Sequence, residues 1–517
     1  MYIAPNSIIK ALKNVPLDPT YDHTIYFANT SAQTAFFESK AKTTFLLQTY
    51  QRLNKGRIRV KALADNLYDC NYLMFQNTSY GSKWFYAFIK SVEYINNEVT
   101  EIEYEIDVMQ TWFFDYTLDK CFVEREHSAN DDYFSNIVSE NVEIGDEYVC
   151  KAHDVYDMNS MYVCALINRE SQAGTAISRK INNIYTPLNI IAGIPVSDTS
   201  SIDTALDQFL ESEIVAVYQY PSQFGDASTE TAYSTTKTIT AVLTDFGGYI
   251  PHNRKLYTYP YCCLIVSNNT GQVAQYRWED WSSNMGLFTI RGVFISTPSV
   301  ICYPKYYRGM TDAYDEGLVL SNFPQCPWSG DTFKAWWAQN KASFVTSGIT
   351  SVVGSLTTIG AGAAISIATG NPVAGVAGFV SGINNIGKTV SNSIAKIDDM
   401  KNAPSQAHGQ TQTDSLNPGM GRVQYDFYQM QIKREYAEII DGYFDRFGYA
   451  TKKNKVPNRN VRPHWTYTQT VGCTITGSIP ADDAISICNI YNNGITFWNN
   501  GNEVGNYTLN NSLPISA

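Results

Sequence analysis

The residue types that carry most enzyme chemistry are present in this chain, but they form no recognisable catalytic pattern. The six histidines are isolated, and none belongs to an HExxH pattern or to another close metal-binding spacing. The sequence also lacks GxSxG, GxxxxGKS/T and a GxGxxG that follows a predicted strand. His127, beside Glu124, Arg125 and Glu126, is most simply interpreted as part of a surface cluster of ion pairs. We therefore expect no catalytic residue, no cofactor and no metal site, and we do not expect an enzyme.

The cysteines point to buried thiols rather than to a redox motif or a zinc site. There are ten, at positions 70, 121, 150, 164, 262, 263, 302, 326, 473 and 488, and no two form a CxxC pair. A chain of 517 residues buries a large core without a disulfide framework. The N-terminus has no apolar core of signal-peptide length, so we expect a protein made in a reducing cytoplasm.

Acidic side chains are concentrated in one predicted strand. In the segment VTEIEYEIDV, residues 99–108, apolar and acidic positions alternate with a period of two, which predicts one buried face and one carboxylate face. The acidic positions are Glu101, Glu103, Glu105 and Asp107. The wider window 93–147 holds 16 acidic residues against two basic ones, Lys120 and Arg125. This pattern fits either a solvated acidic face or a wall that a polyanion passes without binding.

The segment from 342 to 387 is the most unusual part of the chain, with 46 consecutive uncharged residues and nine of the 33 glycines. The triplet Gly370, Asn371 and Pro372 predicts a turn near its middle, and on one interpretation the two halves are helices that would each cross about 30 Å of hydrocarbon. Its large apolar residues are Phe344, Val345, Ile349, Val352, Val353, Leu356, Ile359, Ile365, Ile367, Val373, Val376, Phe379, Val380, Ile383 and Ile386. Gly, Ser and Thr dilute this hydrophobicity. The segment is therefore interpreted either as membrane-active once exposed or as a buried helical hairpin.

Composition and patterning favour a mainly β protein with α+β insertions. The net charge of −11 gives no general attraction to nucleic acid, and 13% aromatic residues suit strands and large interfaces. We predict β regions at 1–150 and 422–517, an α+β insertion at 151–330, and the long uncharged loop with its linkers at 331–421. Within the insertion, 204–217 is predicted as a helix and 255–266 as a strand. The basic stretch 446–462 is predicted as a solvated loop or a subunit contact, since it lacks the interleaved aromatic residues of a DNA site.

Four aromatic-rich stretches resemble a known family. They are YLMFQNTSYGSKWFYAF at 72–88, EIDVMQTWFFD at 105–115, FVEREH at 122–127 and NGITFW at 493–498. Together they resemble the tail knob proteins of small short-tailed phages of Gram-positive bacteria with protein-primed genomes, the picovirus type. The uncharged run lies where those proteins carry a long hydrophobic loop. The similarity is weaker in the middle, at 151–330.

The resemblance implies a homohexamer at the distal end of the tail tube. Both terminal β regions would form a β-barrel-like tube wall, and the insertion would form the knob. Six hydrophobic loops would plug the lumen, then leave it to penetrate the host cytoplasmic membrane and form a channel for genome ejection. The implied partners are the upper tail tube or collar, a tail-tip cell-wall hydrolase, the host membrane, and genomic DNA in transit without sequence recognition. The implied location is the virion.

The face that carries Glu101, Glu103, Glu105 and Asp107 is predicted to line the channel, because carboxylates repel the phosphates of passing DNA. The first alternative function is a tail component that binds or degrades cell-wall glycan, which requires two acids about 5 to 9.5 Å apart. With 49 acidic residues such pairs occur by chance. The second alternative is a purely structural tube whose uncharged segment is ordinary core.

Overall fold

The structure is a computed structural model and describes most of the chain. The described residues are 7–48, 56–77, 81–158, 160–167, 180–181, 184–185, 189–208, 214–224, 232–269, 271–281, 283–293, 299–321, 325–327, 365–366 and 423–512. The chain divides into two compact units. The terminal unit contains 1–142, 252–255 and 439–517, and the central unit contains 143–251 and 256–438. Both ends of the chain therefore belong to the same unit.

Strands predominate, so the predicted mainly β fold class is confirmed. In the N-terminal part the strands are β1 Ser7–Leu12, β2 His23–Ile25, β3 Ala41–Gln48, β4 Arg57–Val60, β5 Tyr72–Asn77, β6 Trp84–Asn96, β7 Val99–Ile106, β8 Tyr116–Leu118 and β9 Cys121–Glu126. The strands β10 to β17 are Glu147–Asp157, Met161–Ile167, Lys180–Ile181, Ile184–Tyr185, Asn189–Pro195, Ile214–Pro221, Ala232–Thr240 and Cys262–Ser267. The strands β18 to β24 are Val273–Tyr276, Met285–Val293, Ser299–Tyr307, Met310–Asp312, Leu318–Ser321, Gln325–Pro327 and Ile365–Ser366. The last five, β25 to β29, are Gln424–Ile432, Tyr449–Lys455, Trp465–Val471, Ile475–Gly477 and Ile495–Trp498.

Helices are few among the described residues. The α-helices are α1 Thr30–Ser39, α2 Val108–Thr111, α3 Thr199–Leu206, α4 Arg434–Phe447 and α5 Ala481–Asn493. Short 3-10 helices cover Ala64–Asn66, Ser222–Phe224, Arg254–Tyr257, Trp278–Trp281 and Tyr314–Glu316. The helix predicted at 204–217 is wrong for 214–217, because this run, which contains three β-branched residues, belongs to β15. The strand predicted at 255–266 begins only at Cys262, since a 3-10 helix precedes it.

A six-stranded antiparallel sheet, in the order β3-β1-β5-β6-β7-β4, forms the N-terminal part of the terminal unit. Its middle strand β5 is buried on both faces: Leu73 packs in one apolar core and Met74 in another. This explains why β5 is a continuous apolar run rather than an alternating one. The Asn96 side chain closes the turn between β6 and β7, because it accepts hydrogen bonds from the N–H groups of Glu98 and Val99 at 2.8 and 2.9 Å.

A second sheet of the terminal unit combines the two ends of the chain. Its order is β2-β29-β27-β9-β26, and we call it the shared sheet. The N-terminal strand β2 pairs in parallel with the C-terminal strand β29, and β9 lies between β27 and β26. Helix α5 covers an apolar core beneath, where Ile487 and Tyr491 pack with Met109 and Phe113. Residues more than 350 positions apart thus depend on one core.

The central unit contains three larger sheets. Their orders are β18-β17-β25-β10-β24, β14-β11-β15-β23, and β16-β19-β20-β21 with β22 also paired to β20. Strand β17 is buried along its whole length, as its sequence CCLIVS predicts for a strand covered on both faces. β12 and β13 form a separate two-stranded ribbon.

Candidate functional site

The predicted acidic face begins as expected along β7. Ile102 and Tyr104 point into the apolar core of the six-stranded sheet, and Glu103 and Glu105 lie on the opposite side. Strand β7 is flanked by β6 on one side and β4 on the other. The position of this face relative to any channel stays a prediction.

The carboxylates of β7 are neutralised by cations from the neighbouring strands. In β4, Arg57 reaches Glu101 at 3.0 Å and Glu103 at 3.2 Å, and Arg59 reaches Glu101 at 2.8 Å. In β6, the Lys90 ammonium lies 2.7 Å from Glu105. Hydrogen bonds from Arg59 and Arg57 lower the pKa of Glu101, whose side chain is only 8% exposed. This surface is therefore a network of ion pairs. The window 93–147 did not predict it, because the cations lie outside that window.

Asp107 does not share this face. It follows the last residue of β7 and is buried, where its carboxylate accepts the Gln110 N–H at 3.0 Å and the Tyr72 hydroxyl at 2.7 Å. The first of these bonds caps the N-terminus of α2. Burial raises the pKa of Asp107 to about 6. The four-carboxylate ladder is thus shortened to three, and Asp107 has a structural role.

Most of the predicted membrane-active loop lies outside the described residues, and so does its turn at Gly370, Asn371 and Pro372. Ile365, with Ser366, is described: the two form β24, which pairs antiparallel with β10 at Tyr148 and Glu147. Among the helices that the structure describes, none combines the length and apolar character that a membrane-spanning helix requires.

Most basic side chains of the stretch 446–462 interact with other residues of the terminal unit. Four of its cations have partners there: Arg446, Lys455, Arg459 and Arg462. The other two, Lys452 and Lys453, are exposed on β26, which is the outer strand of the shared sheet among the described strands. The prediction of a loop is wrong for 449–455. Exposed lysines on such an edge disfavour uncontrolled strand pairing.

His127 is not the surface residue that its charged sequence neighbours suggested. It is buried, its Nδ1 accepts the Tyr467 N–H at 2.7 Å, and its Nε2 lies 3.1 Å from the Asp445 carbonyl oxygen. Burial lowers its pKa to about 3, so the imidazole is neutral at physiological pH. His127 therefore bridges the shared sheet and α4 as a core residue.

The fold also assembles a group that sequence spacing missed. His252, Asp441 and Asp445 bring three ligand-type atoms within 4.8 Å of one another. Their atoms already bond to each other and to protein N–H groups: Asp441 accepts the backbone N–H of His252 and of Asn253, and Asp445 bonds His252 Nδ1 at 2.9 Å. The Asn253 side chain donates to both carboxylates. The group thus anchors residues 252–253 to α4, and these bonds compete with a metal for the same oxygens.

Two family comparisons give this β-rich architecture a biological context. Residues 217–512 match the C-terminal domain of tail knob protein gp9 of Bacillus phage phi29, and residues 5–117 match the N-terminus of the caudoviral major tail proteins. The fold and these matches define a structural protein of a bacteriophage tail. Because the first match covers more than half of the chain, the chain belongs to the family of tail knob protein gp9.

Individual tail knob proteins are similar to this chain over nearly its whole length. The chain is 26% identical to tail knob protein gp9 of Bacillus phage B103 and 27% identical to that of Bacillus phage PZA, each over 98% of both chains. The alignment with the B103 protein spans 604 positions, more than the 517 residues here, so that relative carries residues that this chain lacks. The tail knob protein gp12 of bacteriophage C1 has the same fold, with a TM-score of 0.62, 14% identity, and coverage of 98% of this chain and 100% of its own.

These findings confirm the resemblance to the tail knob family and the expected location in the virion. The protein is a component of the phage tail, where it associates with other tail proteins. The names of the relatives describe structural tail components.

Proposed function

We propose that this protein forms a hexameric distal tail tube whose hydrophobic loops seal the lumen and later open the host cytoplasmic membrane. The observation that carries the proposal is the uncharged segment 342–387 in a member of a tail knob family. Charged residues make up 17% of the whole chain, but none lies in this segment. A segment of this composition is stable either packed against protein or inserted in lipid. A tail tube supplies the first environment before infection and the host membrane supplies the second.

The arithmetic of the segment supports a channel. The 28 residues before Gly370 exceed the length of one membrane crossing, about 20 residues, and the 15 uncharged residues after Pro372 reach that length when the crossing continues past Lys388. Six copies would supply twelve crossings. In hydrocarbon every backbone N–H and C=O group needs an internal partner, and helices meet this requirement. The abundant Gly, Ser and Thr allow close helix packing, which favours association of the crossings into a ring.

The ion pairs around β7 determine the net charge that a tube wall with this face would present to DNA. On the sheet face formed by β4, β6 and β7, the carboxylates of Glu93, Glu101, Glu103 and Glu105 are accompanied by three cations, Arg57, Arg59 and Lys90. One net negative charge remains per copy. If this face lines the channel, it repels phosphates weakly and offers no unpaired cation to retain them, since each cation is already bonded to a carboxylate. A weakly negative surface suits a conduit that passes DNA without sequence recognition.

A charge placed in the uncharged segment tests the proposal. Ile359→Asp puts a carboxylate in one predicted crossing, and burying it in lipid is unfavourable by several kcal/mol. We expect virions with this variant to assemble and adsorb normally, but to release far less dye from liposomes and to infect at least tenfold less efficiently. Ile250→Asp is the matched control, because Ile250 is 71% exposed in the central unit. Equal leakage and infectivity for the two variants would contradict the membrane role.

A further inference from the structure

Three cysteine thiols of the terminal unit lie together although the sequence separates them widely. Cys121 is the first residue of β9, Cys473 follows the end of β27, and Cys488 lies on α5. The thiol of Cys473 interacts electrostatically with the thiols of both other cysteines. All three are free thiols in this structure. This arrangement, which we call the thiol cluster, has no role in the proposed channel.

Backbone contacts hold Cys473 between its two neighbours. On one side, Val471 of β27 pairs with Phe122 of β9, and the Asp119 N–H donates to the Thr474 carbonyl oxygen at 3.0 Å. These contacts place residues 472–473 beside the start of β9. Residue 473 therefore approaches Cys121 through strand pairing rather than through a mobile side chain.

On the other side, α5 presents Cys488 to the same position. The Cys473 N–H donates to the Asn492 side-chain oxygen at 3.1 Å, and Thr470 Oγ1 bonds the same oxygen at 3.0 Å. Residues 488 and 492 are one helical turn apart, so their side chains lie on one face of α5. The bond to Asn492 thus fixes the backbone of Cys473 over the face that carries Cys488, and both residues pack in one apolar core.

The members of the thiol cluster differ in access to solvent. Cys121 and Cys473 are buried, whereas Cys488 is partly exposed. Burial raises the pKa of all three thiols, that of Cys473 to about 12, so at neutral pH they are protonated and react slowly. The thiols therefore persist in a reducing cytoplasm, and Cys488 is the one that an external reagent reaches first.

We propose that Cys473 and Cys488 form an intramolecular disulfide once the assembled particle enters an oxidising medium that contains low-molecular-weight disulfides. The Cys488 thiolate attacks a small disulfide, forms a mixed disulfide and releases one small thiolate. The Cys473 thiolate then attacks the Cys488 sulfur and expels the second small thiolate. Two protein thiols are oxidised to one disulfide, and one small disulfide is reduced to two thiols, with the two protons passing to the released thiolates. Cys121 remains a thiol.

The disulfide would link α5 covalently to the turn between β27 and β28, within the core that both ends of the chain share. Such a link restricts the unfolded chain and therefore stabilises the folded unit. A tail protein would in this way be assembled in its reduced form and strengthened after release. The unit that gains the link is the one to which both ends of the chain belong.

Treating the full-length protein with oxidised glutathione tests this proposal. After acid quenching and alkylation, we expect two thiols to become unreactive, and cleavage at Asp482 and Asp483 should leave the two flanking peptides joined through Cys473 and Cys488. The oxidised protein should unfold at a temperature several degrees higher, and dithiothreitol should reverse this shift. An absent link, a link to Cys121 or a persistent glutathione adduct on Cys488 would each overturn the proposal.

Variants separate the disulfide from general packing effects. Cys488→Ser changes the partly exposed member and should abolish both the link and the thermal shift, and Cys473→Ala should do the same. Cys121→Ser should retain both. Cys70→Ser is the matched control, because Cys70 is a buried thiol in the core of the six-stranded sheet. A thermal shift that persists in Cys488→Ser would contradict the assignment even if Cys473→Ala failed to fold.

Discussion

Two groups of carboxylates in the acidic window 93–147 have opposite surroundings in the terminal unit. On β7, the side chains of Glu103 and Glu105 are 38% and 48% exposed, and each has its cation in solvent. Glu140 is 3% exposed and bonds both Arg125, at 2.7 Å, and the buried Lys255. The first group is weakly coupled to the fold because water screens its charges, whereas the second is buried, where the loss of one charge of an ion pair is far less favourable. Local charge counts therefore do not distinguish a functional surface from a structural anchor.

The buried group also explains how a long irregular segment is held. Residues 127–146 contain neither helix nor strand, yet Glu140 accepts the Ala450 N–H at 2.7 Å, and Asp131 accepts the Tyr449 hydroxyl at 2.5 Å. Both contacts join the segment to β26, the strand with the exposed lysines. Carboxylates here replace the hydrogen bonds that a regular strand would make.

Removal of the buried charge should have the largest effect. Glu140→Ala removes the carboxylate that pairs with the buried Arg125 and Lys255, and we expect the free energy of unfolding to fall by about 3–5 kcal/mol. Chemical denaturation of the purified protein measures this. Glu103→Ala, in the exposed network, should change it by less than about 1 kcal/mol. Equal losses for the two variants would remove the distinction between the groups.

Asp107 should produce an intermediate, pH-dependent effect. Its pKa in the folded protein is raised to about 6 from an ordinary value of 3.8, so the folded state binds the proton more tightly than the unfolded state. Stability from this group is therefore greatest below about pH 4 and is lost as the pH rises to 6, by up to about 3 kcal/mol. Asp107→Asn keeps a capping side chain and should abolish this slope. A slope that is unchanged in the variant would assign it to other groups.

The smallest effect on stability should accompany a change in function. Glu103→Lys combined with Glu105→Lys turns two exposed carboxylates into cations, and we expect less than about 1 kcal/mol of destabilisation. If the β7 face lines the channel, this net charge change of +4 per copy should retain phosphates and slow genome ejection several-fold in virions. Glu98→Lys combined with Asp65→Lys makes the same charge change at other exposed positions. Equal ejection rates for the two double variants would show that β7 does not face DNA.

Local patterns predicted the parts of the fold that depend on neighbouring residues. The alternation in β7 and the β structure near the C-terminus agree with the patterns of the local sequence. A further local signal was overlooked: Asp107 with Gln110 three residues later has the spacing of a helix N-cap. The burial of His127 was also predictable from the sequence, because residues 123, 125 and 127 lie on the same, buried face of the chain along β9 and just after it.

Long-range partners were not predictable from one sequence. The cations that neutralise Glu101 lie more than 40 residues earlier, and His252 lies 193 residues from Asp445. The thiol cluster likewise depends on strand pairing between the two ends of the chain. Sequence spacing identified none of these groups, because the sheets, rather than the local chain, bring their members together.

The central claim is that segment 342–387 leaves a protein environment and enters lipid during infection. A direct test mixes virions with liposomes that contain a lipid-soluble photoreactive probe. Peptides labelled before and after ejection is triggered are then identified by mass spectrometry. The account predicts that peptides from 342–387 become labelled only after triggering, whereas a peptide containing the exposed Ile250 stays unlabelled. Triggered particles that eject DNA while 342–387 remains unlabelled would contradict it.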